Sequence, residues 1–207
     1  MDLVIVTIIV ILVFLLFNLK VFNLDDDRVY YKPIGGEDPY YIRDRPDKTK
    51  AYEKINRLNG DLDKIRDDFQ KFKLNYPQYF KIPDINRFLK RTENLRIDET
   101  YTDFGDAGVT IDKKNINICV RKKDSPDKFE NMCVSTYILL HELAHVMCKS
   151  YKGHNEEFWD NFAFIMARAI RLGIYKYQNF QDKPIRYCGI NINFNKPSLA
   201  DVNEYNF

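Results

Sequence analysis

The stretch "HELAHVMCKSYKGHNEEFW", residues 141–159, contains all three histidines of the 207-residue chain: His141, His145 and His154. On a helix, His141 and His145 project from one face a single turn apart, so their imidazoles can grip one metal ion. Glu142 lies beside His141 around the same helix, where its carboxylate can reach a water near the metal without ligating the ion. This is the HExxH arrangement, in which two histidines bind zinc and the glutamate is the general base. A catalytic zinc needs a third protein ligand and one open position. Cys148 sits a further turn along, roughly 10 Å of rise from His141, and three ligands in a row cannot surround one ion. It reads as a small core residue. His154 follows Gly153, whose turn can fold the chain back, and is the preferred third ligand. Glu156 and Glu157 are the fallback ligands, although acidic residues also suit the first turn of a helix. A solvated helix face can carry HExxH by chance. Here the helix is strongly apolar, and burying two histidines and a glutamate without a partner is costly; a metal accounts for that cost.

The elements that must position these residues follow from hydrophobic periodicity. Val134, Tyr137 to Leu140, Leu143, Ala144 and Val146 make residues 132–149 apolar almost all round, the pattern of a central helix. Gly153 can close it in the left-handed conformation. A second helix is expected from Asn155 or Glu156 to Gly173, with Phe158, Trp159, Phe162, Ile165 and Met166 on a wide apolar face. Upstream, Ala51, Ile55, Leu58, Leu62, Ile65, Phe69 and Phe72 recur at heptad spacing. A coiled-coil dimer would explain that seam. A long helix laid along its own domain is favoured, because many neighbouring positions also need packing. Asp84 should cap a helix over "INRFLKRTENL". Val109 and Ile111, then Ile116, Ile118 and Val120, alternate with polar residues around a "DKKN" turn, which predicts a small antiparallel sheet. The tail from Tyr175 holds one more strand, "KPIRYCGININFN".

Composition bounds the partners. Net charge is +2, which offers no global support for nucleic-acid binding. Abundant Asn, Lys, Ile and Tyr suggest an AT-rich genome. Leu3 to Phe17 is apolar apart from Thr7, and residues 3–22 as a helix would be roughly 30 Å long, the thickness of a bilayer core. With no basic n-region and no small-x-small site, a retained single-pass anchor is preferred to a cleaved signal peptide. Lys20, Arg28 and Lys32 follow the span and no basic residue precedes it, which places the body on the cytosolic face or in a virion interior. Cys119, Cys133, Cys148 and Cys188 form no CxxC pair, which fits a reducing compartment, and the chain has no N-x-S/T sequon. Pro33, Gly35, Gly36, Pro39 and Pro46 mark residues 23–46 as a linker, in which "YYIRD" could form a short docked strand.

The quoted stretch resembles the zincin metallopeptidases, and within them the WLM and SprT-like group, which share HExxH and a later "GH-x-x-x-F". The eight residues between His145 and His154 place it between the spacings of those two groups. The wider layout also resembles small metallopeptidases of large DNA viruses. The resemblance implies His141, His145 and His154 as zinc ligands, Glu142 as catalytic base, and Gly153 and Phe158 at turn and packing positions. It implies an edge strand holding an extended peptide, expected at "NINICVR", residues 115–121. It also implies an oxyanion donor, for which Tyr187, or Arg186 beside it, is the candidate.

The expected fold class is therefore α+β. It comprises a zincin-like, minigluzincin-type domain over residues 47–207, with a small sheet and a central HExxH helix, behind a single transmembrane helix over residues 1–22. The expected function is a membrane-anchored zinc metalloendopeptidase acting on a protein or peptide substrate. The alternative is a membrane-tethered binding or assembly protein whose zinc is structural.

Overall fold

The heptad seam of α1 (Lys48–Asn75) is buried against its own chain: Ala51, Ile55, Leu58, Leu62, Ile65, Phe69 and Phe72 are each no more than 2% exposed. The computed structural model describes residues 27–75, 84–101, 107–150 and 153–205. Before α1, β1 (Arg28–Tyr31) and β2 (Tyr40–Arg43) pair as an antiparallel hairpin. After it come α2 (Ile85–Thr92), β3 (Arg96–Glu99), β4 (Gly108–Ile111) and β5 (Asn115–Ile118). Helices α3 (Met132–Met147) and α4 (Glu156–Arg171), the hairpin β6 (Ile185–Tyr187) and β7 (Ile190–Ile192), and the short α5 (Leu199–Asn203) complete the described elements. Local chemistry sets their ends. Asp84 accepts from Arg87 N at 2.9 Å and caps α2, while Asn155 accepts from Phe158 N at 3.0 Å and caps α4.

The central sheet has the order β3-β5-β4. β4 and β5 are antiparallel around a turn at Asp112 and Lys113, both with positive φ as primed turns require. β3 pairs with β5 in parallel, which the alternation of apolar residues could not announce, because it reports a buried face and not a partner. The stretch read as a linker carries β1 and β2, and Tyr40 and Ile42 enter the core. This hairpin is tied to β3 through polar groups: Asp98 Oδ1 accepts from Tyr41 N and Glu99 Oε2 from Arg43 N, at 2.9 and 2.8 Å. Glu99 is itself buried, and its other oxygen takes Arg121 Nε at 2.8 Å. Removing one member of such a pair leaves an uncompensated buried charge. Arg121→Met is expected to destabilise the chain by about 3–5 kcal/mol, read as a shift in the urea midpoint.

Two expectations are corrected. The α+β class holds, with three small sheets among the described residues, but the transmembrane helix expected in front of the domain is not found. Among the described residues no helix is long and apolar enough to cross a membrane, and residues 1–22 lie outside them. The cysteines also differ from expectation. Cys119 and Cys188 form a disulfide across a sequence separation of 69, joining the end of β5 to the β6–β7 hairpin. No spacing pattern betrays a bridge that long, so the lack of a CxxC pair does not mark a reducing compartment.

Candidate metal centre

Helix α3 is central because nearly every face is apolar, and it packs most extensively on α4. Its C-terminal carbonyls are collected by cations. Arg91 Nη1 donates to Val146 O at 2.7 Å and to Cys148 O at 2.5 Å, and Arg87 Nη1 donates to Met147 O at 3.0 Å. Lys113 Nζ donates to Cys148 O and, at 2.8 Å, to Ser150 O. Positive groups at a helix C-terminus offset both its dipole and its unpaired carbonyls. Glu157 joins this knot, accepting from Lys149 N at 2.7 Å and Arg87 Nη1 at 3.1 Å.

Beyond that closure His154 returns over α3. Gly153 takes φ +56° there, a conformation that strains residues with a Cβ. The imidazoles of His141, His145 and His154 then form a nearly equilateral cluster, with ring centroids 4.8 to 5.0 Å apart. One ring nitrogen from each lies within 4.8 Å of the others, and the cluster could hold a metal ion. His154 Nε2 and His141 Nε2 are 3.0 Å apart. Phe158, fully buried, forms the floor beneath all three rings, at 4.9, 4.4 and 4.5 Å from His141, His145 and His154.

Burial, then the neighbouring imidazoles, pushes the pKa of His141 down to about 3. Burial, then His154 and Lys113, pushes His145 down to about 4, and burial lowers His154. The imidazoles are therefore neutral near pH 7, the form that ligates metals. The unfolded chain takes up these protons near pH 6.5 and the folded chain only at lower pH. Stability from this source is complete above about pH 6.5 and falls as the pH drops towards 4 and 3. Between pH 7 and 5 the metal-free chain is expected to lose on the order of 2–4 kcal/mol. Urea midpoints at the two pH values measure this, and a flat profile would contradict the burial of neutral imidazoles.

Glu142 faces the same cleft, a cavity of about 490 Å³ that it lines with the three histidines and β4. It is 6% exposed, and its Oε2 accepts from Thr110 Oγ1 at 2.7 Å. The close approach of β4 to α3 depends on Gly108: a Cβ there would lie 2.6 Å from Ile138 Cγ2 and 3.2 Å from the Glu142 side chain. β4 is the edge of its sheet, and β5, expected to hold that place, is the middle strand. Ala107 O and Ile111 O both accept on the β5 side, from Cys119 N and Lys114 N. By the alternation of an antiparallel ladder, the peptide groups of Gly108 and Thr110 point to the open side.

The structure thus brings together His141, Glu142, His145 and His154, and leaves the other candidates out. Tyr187 is fully buried; its hydroxyl donates to Cys119 O and meets Ser135 Oγ at 3.0 Å, so it faces away from the cleft and cannot serve as an oxyanion donor. Arg186 is exposed and lies 3.8 Å from Asp124. Glu156 and Glu157 are not in the cluster, and Cys148 is buried against Asn161. The β6–β7 segment does reach the site, but through Ile190, Ile192 and Phe194. Thr110 and Gly108 are site residues with no local signal in the sequence, because each acts through a helix more than twenty residues away.

No family model matches the sequence, and no solved structure matches it. The chain is 30% identical over 152 residues to uncharacterized protein R325 of Acanthamoeba polyphaga mimivirus, which covers 73% of this chain and 75% of that one. It is 35% identical over 87 residues to uncharacterized protein 136R of Invertebrate iridescent virus 6, covering 41% of this chain and 46% of the relative.

Proposed function

This chain belongs to the family of viral proteins that includes R325 of Acanthamoeba polyphaga mimivirus, and we propose that it is a zinc-dependent peptidase. The observation that supports this reading is the three-histidine cluster with a carboxylate that is not part of it, placed beside an open strand edge. Tetrahedral zinc with three nitrogen ligands sets them about 3.3 Å apart. The ring nitrogens here lie within 4.8 Å of one another, so small side-chain rotations close the set. Neutral imidazoles on a cleft wall suit a site with three protein ligands and one open position. Zinc held by His141, His145 and His154 would supply Lewis acidity, polarising a carbonyl and acidifying a water.

The rest of the reaction falls to this chain's own residues. The outward peptide groups of Gly108 and Thr110 pair with an extended substrate and lay its scissile bond across α3. Glu142 takes a proton from the attacking water as its oxygen bonds to the carbonyl carbon. It then delivers that proton to the amine nitrogen as the C–N bond breaks. Thr110 aims the carboxylate by donating its hydroxyl proton. Thr110→Val is expected to slow hydrolysis by about 10-fold to 100-fold, with zinc content unchanged. Parallel kcat and metal assays measure this.

The direct test incubates the zinc-loaded full chain with quenched-fluorescence peptide libraries. The reading expects hydrolysis that a zinc chelator abolishes and added zinc restores. A chain that binds zinc and cleaves no peptide or protein in these assays would instead have a structural metal, and the peptidase reading would be abandoned.

A further inference from the structure

The metal cleft does not end at Ile111. Asp112 and Lys113 line it and also line a second cavity of about 690 Å³, whose other walls include Arg87, Lys90, Arg91 and Lys114. Three of these five cations are fixed in place: Arg87, Arg91 and the buried Lys113 are held by the carbonyls that end α3. Lys90 and Lys114 are exposed and form no ion pair among the described residues. The negative groups nearby are the Asp112 carboxylate, Asp84 and Glu157 on Arg87, and the helix end, equivalent to roughly half a charge. An excess of roughly one and a half positive charges remains, in a chain whose net charge is only +2. The charge is therefore concentrated at one end of the cleft.

We propose that this cavity is a specificity subsite that binds acidic side chains of a peptide lying along β4. The inference rests on the peptidase reading for the placement of that peptide, and on the cation cluster for its chemistry. Thr110 meets Glu142, and Asp112, where the second cavity begins, lies two residues further along the strand. At about 3.4 Å per residue, an extended substrate would place acidic residues about two to four positions from the bond over Glu142. A polyanion such as a nucleic acid would also be drawn to lysines. A peptide is favoured because the cavity continues an open strand edge that can pair with peptide backbone, and because five cations line a single pocket at its end.

Two measurements separate this inference from the one it rests on. The first is fluorescence anisotropy on zinc-loaded full chain carrying Glu142→Gln, with two labelled dodecapeptides that differ only in a cluster of Glu or Gln residues. The Glu peptide is expected to bind about tenfold tighter at low salt. The double variant K90E/K114E is expected to remove that preference, and K90Q/K114Q to reduce it. The milder pair guards against misfolding caused by charge reversal. Equal binding of the two peptides, no binding of either, a preference that survives in folded K90E/K114E, or tighter binding of a single-stranded oligonucleotide would each overturn the proposal. The second measurement is cleavage of the same peptides by the unaltered chain. Charge-dependent binding without cleavage would sink the peptidase reading and leave the acidic subsite standing. Cleavage indifferent to the Glu cluster would do the reverse.

Discussion

Glu142→Gln is expected to lower peptide hydrolysis by about 10²–10⁴-fold while the chain keeps its metal. Glutamine matches glutamate in volume and its amide oxygen can still accept from Thr110 Oγ1, so the buried contact between β4 and α3 survives. What is lost is a group able to take up and release a proton, the one property the proposed reaction demands of this position. Glu142 is outside the histidine cluster, so metal content should not change. Activity and zinc are therefore expected to separate in this variant. Steady-state rates on a cleavable peptide and elemental analysis of the same sample measure both. Hydrolysis equal to that of the unaltered chain would remove Glu142 from the reaction and the peptidase reading with it.

The second large effect concerns the metal itself. The unaltered chain is expected to hold about one zinc, and His154→Ala to hold it far more weakly. Loss of an outer-shell partner alone typically costs 10–100-fold in affinity, and removal of a first ligand should exceed about 100-fold. His154 is exposed and follows a glycine turn, so its truncation removes little core packing. The floor under the site, Phe158, remains buried on the first turn of α4. Zinc at 100 times its dissociation constant stabilises a folded chain by about 2.7 kcal/mol, or about 5–10 °C in Tm at this size. Chelation should lower the Tm of the unaltered chain by that amount and leave His154→Ala unmoved. A Tm insensitive to zinc and chelator in both proteins would mean that the cluster does not bind the ion.

Much of the candidate site was legible because its spacing is helical. His141 and His145 share a face through backbone geometry alone, Asn155 caps α4 through its own side chain, and Gly153 takes the conformation that a helix end calls for. The turn at Asp112 and Lys113 and the seam of α1 were legible for the same reason. Tyr187 shows where that reasoning stops. Its segment does reach the cleft, but in a strand the two faces alternate, and the β6–β7 register puts Tyr187 inward. A shift of one residue would have reversed it. β5 was misplaced at the sheet edge because strand order depends on β3, which pairs with β5 in parallel across intervening chain.

The sequence by itself determined the three-histidine cluster, its neighbouring carboxylate and the helices that carry them, because each rests on interactions spanning one or two turns of chain. Only the tertiary structure decided which strand lies open beside the histidine cluster, that Thr110 holds Glu142, that Cys119 meets Cys188, and that five cations line the end of the cleft. Those are contacts between segments distant in the chain. They are set by how the whole core closes, and no local periodicity encodes them.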